Sequence, residues 1–176
     1  CNTHSRACWS NRRGPRPVRS RQYPHGFPWL TGPLKAKCDT ANKLAHRTLE
    51  AARLAHDSPA SSAFLIEHPE DLGNTKTGGQ PASIWQLGDL QTLARHTNAT
   101  TVALHQCRWP DALSSKPTRL MGTLHNLNSV GYEGWPRFSK TFRYLGPLPA
   151  SCGHKHDPLI GQGEDGTFRT SPAAAY

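Results

Sequence analysis

The sequence contains no apolar run approaching the roughly 18 residues that a membrane-crossing helix needs, so no membrane span is expected. A charged-then-apolar leader with a cleavage site is also missing from its start, and the chain opens on Cys1 instead of Met, which reads as a fragment or a processed product. Cysteine is sparse. The five thiols (Cys1, Cys8, Cys38, Cys107 and Cys152) are odd in number and widely scattered, which argues against the dense, even framework of a small secreted disulfide scaffold. They read as reduced, in an intracellular compartment. Asn98-Ala99-Thr100 fits a glycosylation sequon, but such triplets arise often by chance and carry little weight. Acidic side chains are missing where basic ones concentrate, since the first 32 residues hold six arginines and no acid.

What is present sharpens that asymmetry. The net charge of +9 falls entirely within residues 1–53, and the remainder is neutral. A basic stretch of this kind is an electrostatic footprint for a polyanion, most often nucleic acid, or else a solvated tail. Arg6, Arg12, Arg13, Arg16, Arg19 and Arg21 are the candidate nucleic-acid-binding residues, interleaved with Trp9, Tyr23, Phe27 and Trp29 for base stacking. Apolar content is a lean 35%, and glycine and proline number 15 each, so irregular connections are expected.

Along the chain, residues 1–33 read as a basic Pro/Arg-rich loop, 34–124 as an α/β core and 125–176 as a Gly/Pro/His-rich region, together one domain. Leu34, Cys38, Ala41, Leu44, Ala45, Ala52 and Ala55 recur at near-helical spacing over residues 33–57, with Pro33 suited to a first helical position. Ala63–Ile66 reads as a buried strand ended by Glu67-His68-Pro69. Ser83 caps a predicted helix carrying Ile84, Leu87, Leu90 and Ala94. Strands follow over 100–106 and 118–124, then a short helix over 126–130. The order strand, helix, strand, strand predicts a mostly parallel sheet with one antiparallel addition and long loops at both ends.

Three segments carry a family likeness. Cys1-Asn2-Thr3-His4-Ser5-Arg6-Ala7 resembles the loop that follows Pro-Cys in cytosine-5 DNA methyltransferases, with Asn2 where Gln is usual. Phe64-Leu65-Ile66-Glu67-His68-Pro69 resembles the family's apolar strand ending in Glu-Asn-Val or Glu-Asn-Pro, with His68 in place of Asn. Lys116-Pro117-Thr118-Arg119-Leu120 stands where the family has Gln-x-Arg-x-Arg opening an antiparallel strand, and only Arg119 matches. Gly14-Pro15-Arg16-Pro17-Val18-Arg19 and Cys152-Gly153-His154-Lys155-His156 extend the likeness to a divergent, mobile-element-associated group.

The resemblance implies a partial Rossmann-like methyltransferase sheet and three catalytic positions. Cys1 would add as a thiolate to C6 of a flipped cytosine, its ionisation aided by Arg6 and Arg12. Glu67 would hold the base's Watson–Crick edge, and Arg119 would steady the base or its phosphate. On residue type alone, Cys1 is an accident of the chain end, Glu67 marks the strand's exit into solvent, and Arg119 is a surface group. The likeness further implies S-adenosylmethionine as methyl donor, DNA as partner and a nuclear location. The family holds that donor mainly on strands preceding the cysteine, so the chain as given is expected to be inactive alone, with an exposed sheet edge inviting a partner.

A second constellation is Cys152-x-His154-x-His156 with Cys107, two thiols and two imidazoles suited to tetrahedral zinc. Alternate residues on a strand face opposite ways, so convergence requires a turn, which Gly153 would permit. His105 is a further candidate ligand, and a solvated polar loop is the alternative. A zinc-stabilised structural module and a basic nucleic-acid-binding or assembly protein therefore stand beside the methyltransferase-like reading.

Overall fold

The computed structural model describes His4, Trp9, residues 16–60, 62–109 and 115–156, and the backbone of 160–162 and 168–170. The first long element is α1 (Gly32–Asp57), with a proline in its first turn. Alanines at 36, 41, 45, 51, 52 and 55 give it high intrinsic propensity. Lys35 and Asp39 pair across one turn at 2.7 Å. Cys38, Ala41 and Ala52 face inward, whereas Leu34 and Leu44 of the predicted apolar face stay exposed.

Strand β1 (Leu65–Pro69) begins two residues later than the sequence reading placed it and carries the Glu67-His68-Pro69 segment inside it. Ser83 accepts a bond from the Trp85 amide and caps a single 3-10 turn, Ile84–Gln86. The helix proper, α2 (Gly88–Thr97), follows with Asp89 in its first turn and Asn98 closing it in the left-handed region. Strands β2 (Thr100–His105) and β3 (Pro117–Gly122) complete the central layer, and β4 (Tyr132–Glu133) adds a short edge. Two small hairpins follow: β5 (Arg137–Phe138) with β6 (Tyr144–Gly146), and β7 (Ile160–Gln162) with β8 (Phe168–Thr170).

The main sheet corrects the expected topology. Its order is β1-β3-β2-β4, and every pairing is antiparallel, so it is not the mostly parallel, Rossmann-like sheet anticipated from the sequence. The crossover through α2 does return β2 in the same direction as β1, but one strand's width away. The short connection 106–116 then turns β3 back into that gap, where Thr118 to Gly122 are buried throughout. Gly122 makes the insertion feasible: a Cβ there would collide with the Phe64 carbonyl across the β1–β3 pair.

The sheet's two faces are packed separately. On one, Ile66 and Met121 meet Ile84, Trp85, Leu87, Leu90, Leu93 and Ala94, with Ala52 of α1 joining them. On the other, Val102, Leu104 and Leu120 pack on Leu127 and Val130. No helix among the described residues is long and apolar enough to cross a membrane.

Candidate functional site

Of the three catalytic positions implied by the family likeness, Cys1 lies outside the described residues, as do Arg6, Arg12 and Arg13. Glu67 and Arg119 do not converge. Glu67 pairs in register with Leu120, and His68 pairs with Arg119. Neighbouring residues on a strand project to opposite faces, so Glu67 and Arg119 sit on opposite sides of the sheet. Glu67 is 45% exposed and lies 3.6 Å from Lys116.

Arg119 is fully buried and makes four hydrogen bonds. Its Nε and Nη2 donate to the two Glu70 carboxylate oxygens at 2.7 and 3.0 Å, and Nη1 donates to Thr101 Oγ1 at 2.8 Å and to the Gly134 carbonyl. The bidentate fork is the strongest form of this ion pair. Burial pushes the Glu70 carboxyl up, while Arg119 pulls it back. Tyr144 closes the cluster: burial and then the Glu70 charge raise its phenol, and its oxygen accepts from the Leu148 amide at 3.0 Å. Sequence reading missed Glu70. Its only signal was an acidic pair, Glu70-Asp71, immediately after a strand-ending proline.

Two arginines of the basic arm are anchors. Arg19 is buried, with Nη1 bonded to the Pro24 carbonyl at 2.6 Å, Asn42 Oδ1 at 2.8 Å and His4 Nε2 at 2.8 Å. Its Nη2 reaches Cys38 Sγ at 3.1 Å, which ties the arm to α1. Arg21 pairs with Asp71 at 3.2 Å and lies between the rings of Phe138 and Phe142. Arg16 is exposed. Beneath the arm, the rings of His4 and His68 meet edge-on at 6.4 Å. Burial, and next the charge of Arg19, lowers His4 to about 3, and burial lowers His68 to about 4.

The metal-ligand candidates do converge. Cys107 lies on the 3-10 turn Gln106–Arg108 that ends β2, and Cys152, His154 and His156 lie beyond β6. Their ligand atoms are all within 4.8 Å of one another, and Cys152 Sγ is 2.9 Å from His156 Nε2. Gly153, at φ +81°, supplies the turn that brings alternate residues to one side. With metal–sulfur and metal–nitrogen bonds of about 2.3 and 2.0 Å, tetrahedral ligand atoms sit roughly 3.3–3.8 Å apart, so small side-chain shifts complete the geometry. Burial, then the bond with and charge of Cys152, raises the Cys107 thiol. His105 is not a member. Its Nδ1 and Nε2 face the carbonyls of Ser115 at 3.2 Å and Pro149 at 3.0 Å.

No protein-family model, curated protein or solved structure matches this chain.

Two predictions follow from the buried polar groups. Glu70→Leu leaves Arg119 charged and unpaired, so urea unfolding should show a loss of about 3–5 kcal/mol, whereas Glu70→Leu with Arg119→Met should lose clearly less. Equal losses would mean that the pair is not the source of the effect. His4 and His68 bind fewer protons folded than unfolded, so stability is full above about pH 6.5. It should fall by several kcal/mol as the pH drops toward 4 and then 3. His68→Gln should flatten the upper part of that profile, and an unchanged slope would argue against His68 as the group responsible.

Proposed function

We propose that this chain is a zinc-stabilised structural module, in which Cys107, Cys152, His154 and His156 hold one zinc ion. The observation that carries this reading is the gathering of two thiols and two imidazoles, from segments far apart in sequence, within 4.8 Å. Thiolate and imidazole donors favour zinc over the hard cations that oxygen ligands select. The ion would tie the segment beyond β6 to the end of β2. A cross-link closing a loop of about 45 residues stabilises by about 4 kcal/mol. Elemental analysis of the purified chain should find one zinc per molecule, and chelation should lower the melting temperature by on the order of 10 °C. Cys107→Ser combined with Cys152→Ser should abolish both the zinc and the response to chelator. A metal-free protein that neither binds added zinc nor gains stability from it would overturn this reading.

A cytosine-5 methyltransferase-like descent is the second reading, and a specific observation favours it. The Glu67-His68-Pro69 segment and the Lys116–Leu120 segment are distant in sequence, yet they lie side by side with Pro69 opposite Thr118 and His68 opposite Arg119. Within this reading Glu67, whose side chain is 45% exposed, is the group left to meet a base, Cys1 the nucleophile, S-adenosylmethionine the methyl donor and DNA the substrate. Arg119 serves the fold through Glu70. The test is transfer of labelled methyl groups from S-adenosylmethionine to cytosine-containing DNA by the natural full-length protein. Transfer that is lost in both Cys1→Ser and Glu67→Gln supports the reading, and no transfer, or transfer indifferent to both, refutes it.

A further inference from the structure

Cys107, Cys152 and His154 line a surface cleft of about 240 Å³, together with Leu104, Tyr132 and Arg108. Both cysteines are half-buried, so their sulfurs border space that a small molecule can enter. Cys38 is the contrast. It is only 1% exposed, and its Sγ accepts from Arg19 at 3.1 Å. Thiols enclosed in a core are inert, whereas reactive ones are partly exposed in a positively charged setting. Arg108 lines the cleft and no carboxylate among the described residues does. Lys155 is exposed between the two histidines.

The two sulfurs are also close enough to join. Cys107 Sγ and Cys152 Sγ lie within 4.8 Å of each other, and a disulfide brings its sulfurs to about 2.05 Å. Neither residue is held in a strand or an α-helix. Cys107 is on the 3-10 turn Gln106–Arg108, and Cys152 is on an irregular stretch beside Gly153, at φ +81°. Closure therefore requires rotation of two side chains and a shift of irregular backbone, with β2 left in place. Thiols that ligate a metal are deprotonated, so a shared ion would hold both as neighbouring nucleophiles.

We infer that Cys107 and Cys152 form a reversible oxidation site, at which a small hydroperoxide converts the two thiolates to a disulfide and the metal is released. The release rests on the zinc reading above, whereas the disulfide needs only the two sulfurs. One thiolate attacks a peroxide oxygen, the O–O bond breaks, and the departing oxygen takes a proton to leave as water or an alcohol. Arg108 supplies positive charge beside that departing oxygen. The second thiolate attacks the resulting sulfenic acid, the S–S bond forms, and hydroxide leaves and is protonated to water. Two electrons pass from the sulfurs to the O–O bond. A dithiol reverses the change by thiol–disulfide exchange. The disulfide spans the same two chain positions as the metal, so oxidation frees His154 and His156 while the segment beyond β6 stays tied to the end of β2.

The experiment treats the full chain, zinc-loaded and metal-free, with hydrogen peroxide. Zinc release is followed with a chromogenic chelator, and disulfides are mapped by peptide mass spectrometry. One zinc should be released for each Cys107–Cys152 disulfide formed, Cys38 should stay reduced, and dithiothreitol with added zinc should restore the starting state. In Cys107→Ser, Cys152 should be trapped as a sulfenic acid by a dimedone reagent. A chain that takes up no zinc yet still forms the Cys107–Cys152 disulfide refutes the zinc reading and leaves the oxidation site standing. The inference is overturned if a zinc-loaded chain keeps its metal and both thiols under excess peroxide. It is equally overturned if Cys107 and Cys152 oxidise only to sulfinic acids or pair only with other cysteines.

Discussion

A guanidinium buried in the middle of a sheet is tolerable only if every donor finds an acceptor, because an unpaired charge there costs several kcal/mol. Arg119 stands on β3, one of the two strands flanked on both sides, and is completely enclosed. Its fork is closed by Glu70 just past the end of β1, by Thr101 on β2 and by the Gly134 carbonyl just past β4. One side chain therefore ties together all four strands of the main sheet. Trp85 lies over the same guanidinium at 5.9 Å from its ring centre, which couples the polar cluster to the apolar core beneath α2. The requirement to satisfy this one residue limits where the chain leaving β1, the chain leaving β4 and the hairpin bearing Tyr144 can run.

The neighbouring Asp71 repeats the logic nearer the surface. It holds Arg21 of the N-terminal arm and Gln86 before α2, and Arg21 in turn is gripped by Phe138 and Phe142 of the C-terminal region. Consecutive acids after one strand thus organise the sheet on one side and the two outer segments on the other. The Cys107–Cys152–His154–His156 cluster lies at the C-terminal end of β2. Buried hydrogen bonds and ion pairs bind the long outer segments to the core of a chain that is itself modest in apolar content.

Much of the local structure was legible in the residues. The alanine-rich run with Pro33 announces α1, and the β-branched stretch at 100–106 announces β2, because each pattern reflects its own periodicity. The Cys/His cluster was legible too, since residue type restricts which side chains can ligate a metal and Gly153 was the one position able to turn the chain. Strand neighbours were not. Whether β3 lies outside or between β1 and β2 depends on the reach of the 106–116 connection and on Gly122 passing the Phe64 backbone, and neither leaves a periodic trace. The pairing of Glu67 with Arg119 failed for the same reason: opposing faces follow from register, which a one-residue offset reverses.

The sequence by itself determined that this is a mixed α/β chain with a basic first third, no long apolar helix and a Cys/His set suited to a metal, because composition, charge and short-range spacing are properties of the chain alone. Only the tertiary structure decided that the sheet is antiparallel and that Arg19, Arg21 and Arg119 are internal ties. Each of those outcomes depends on which distant groups meet once water is excluded, where an unpaired donor, acceptor or charge is far more costly than in the solvated chain.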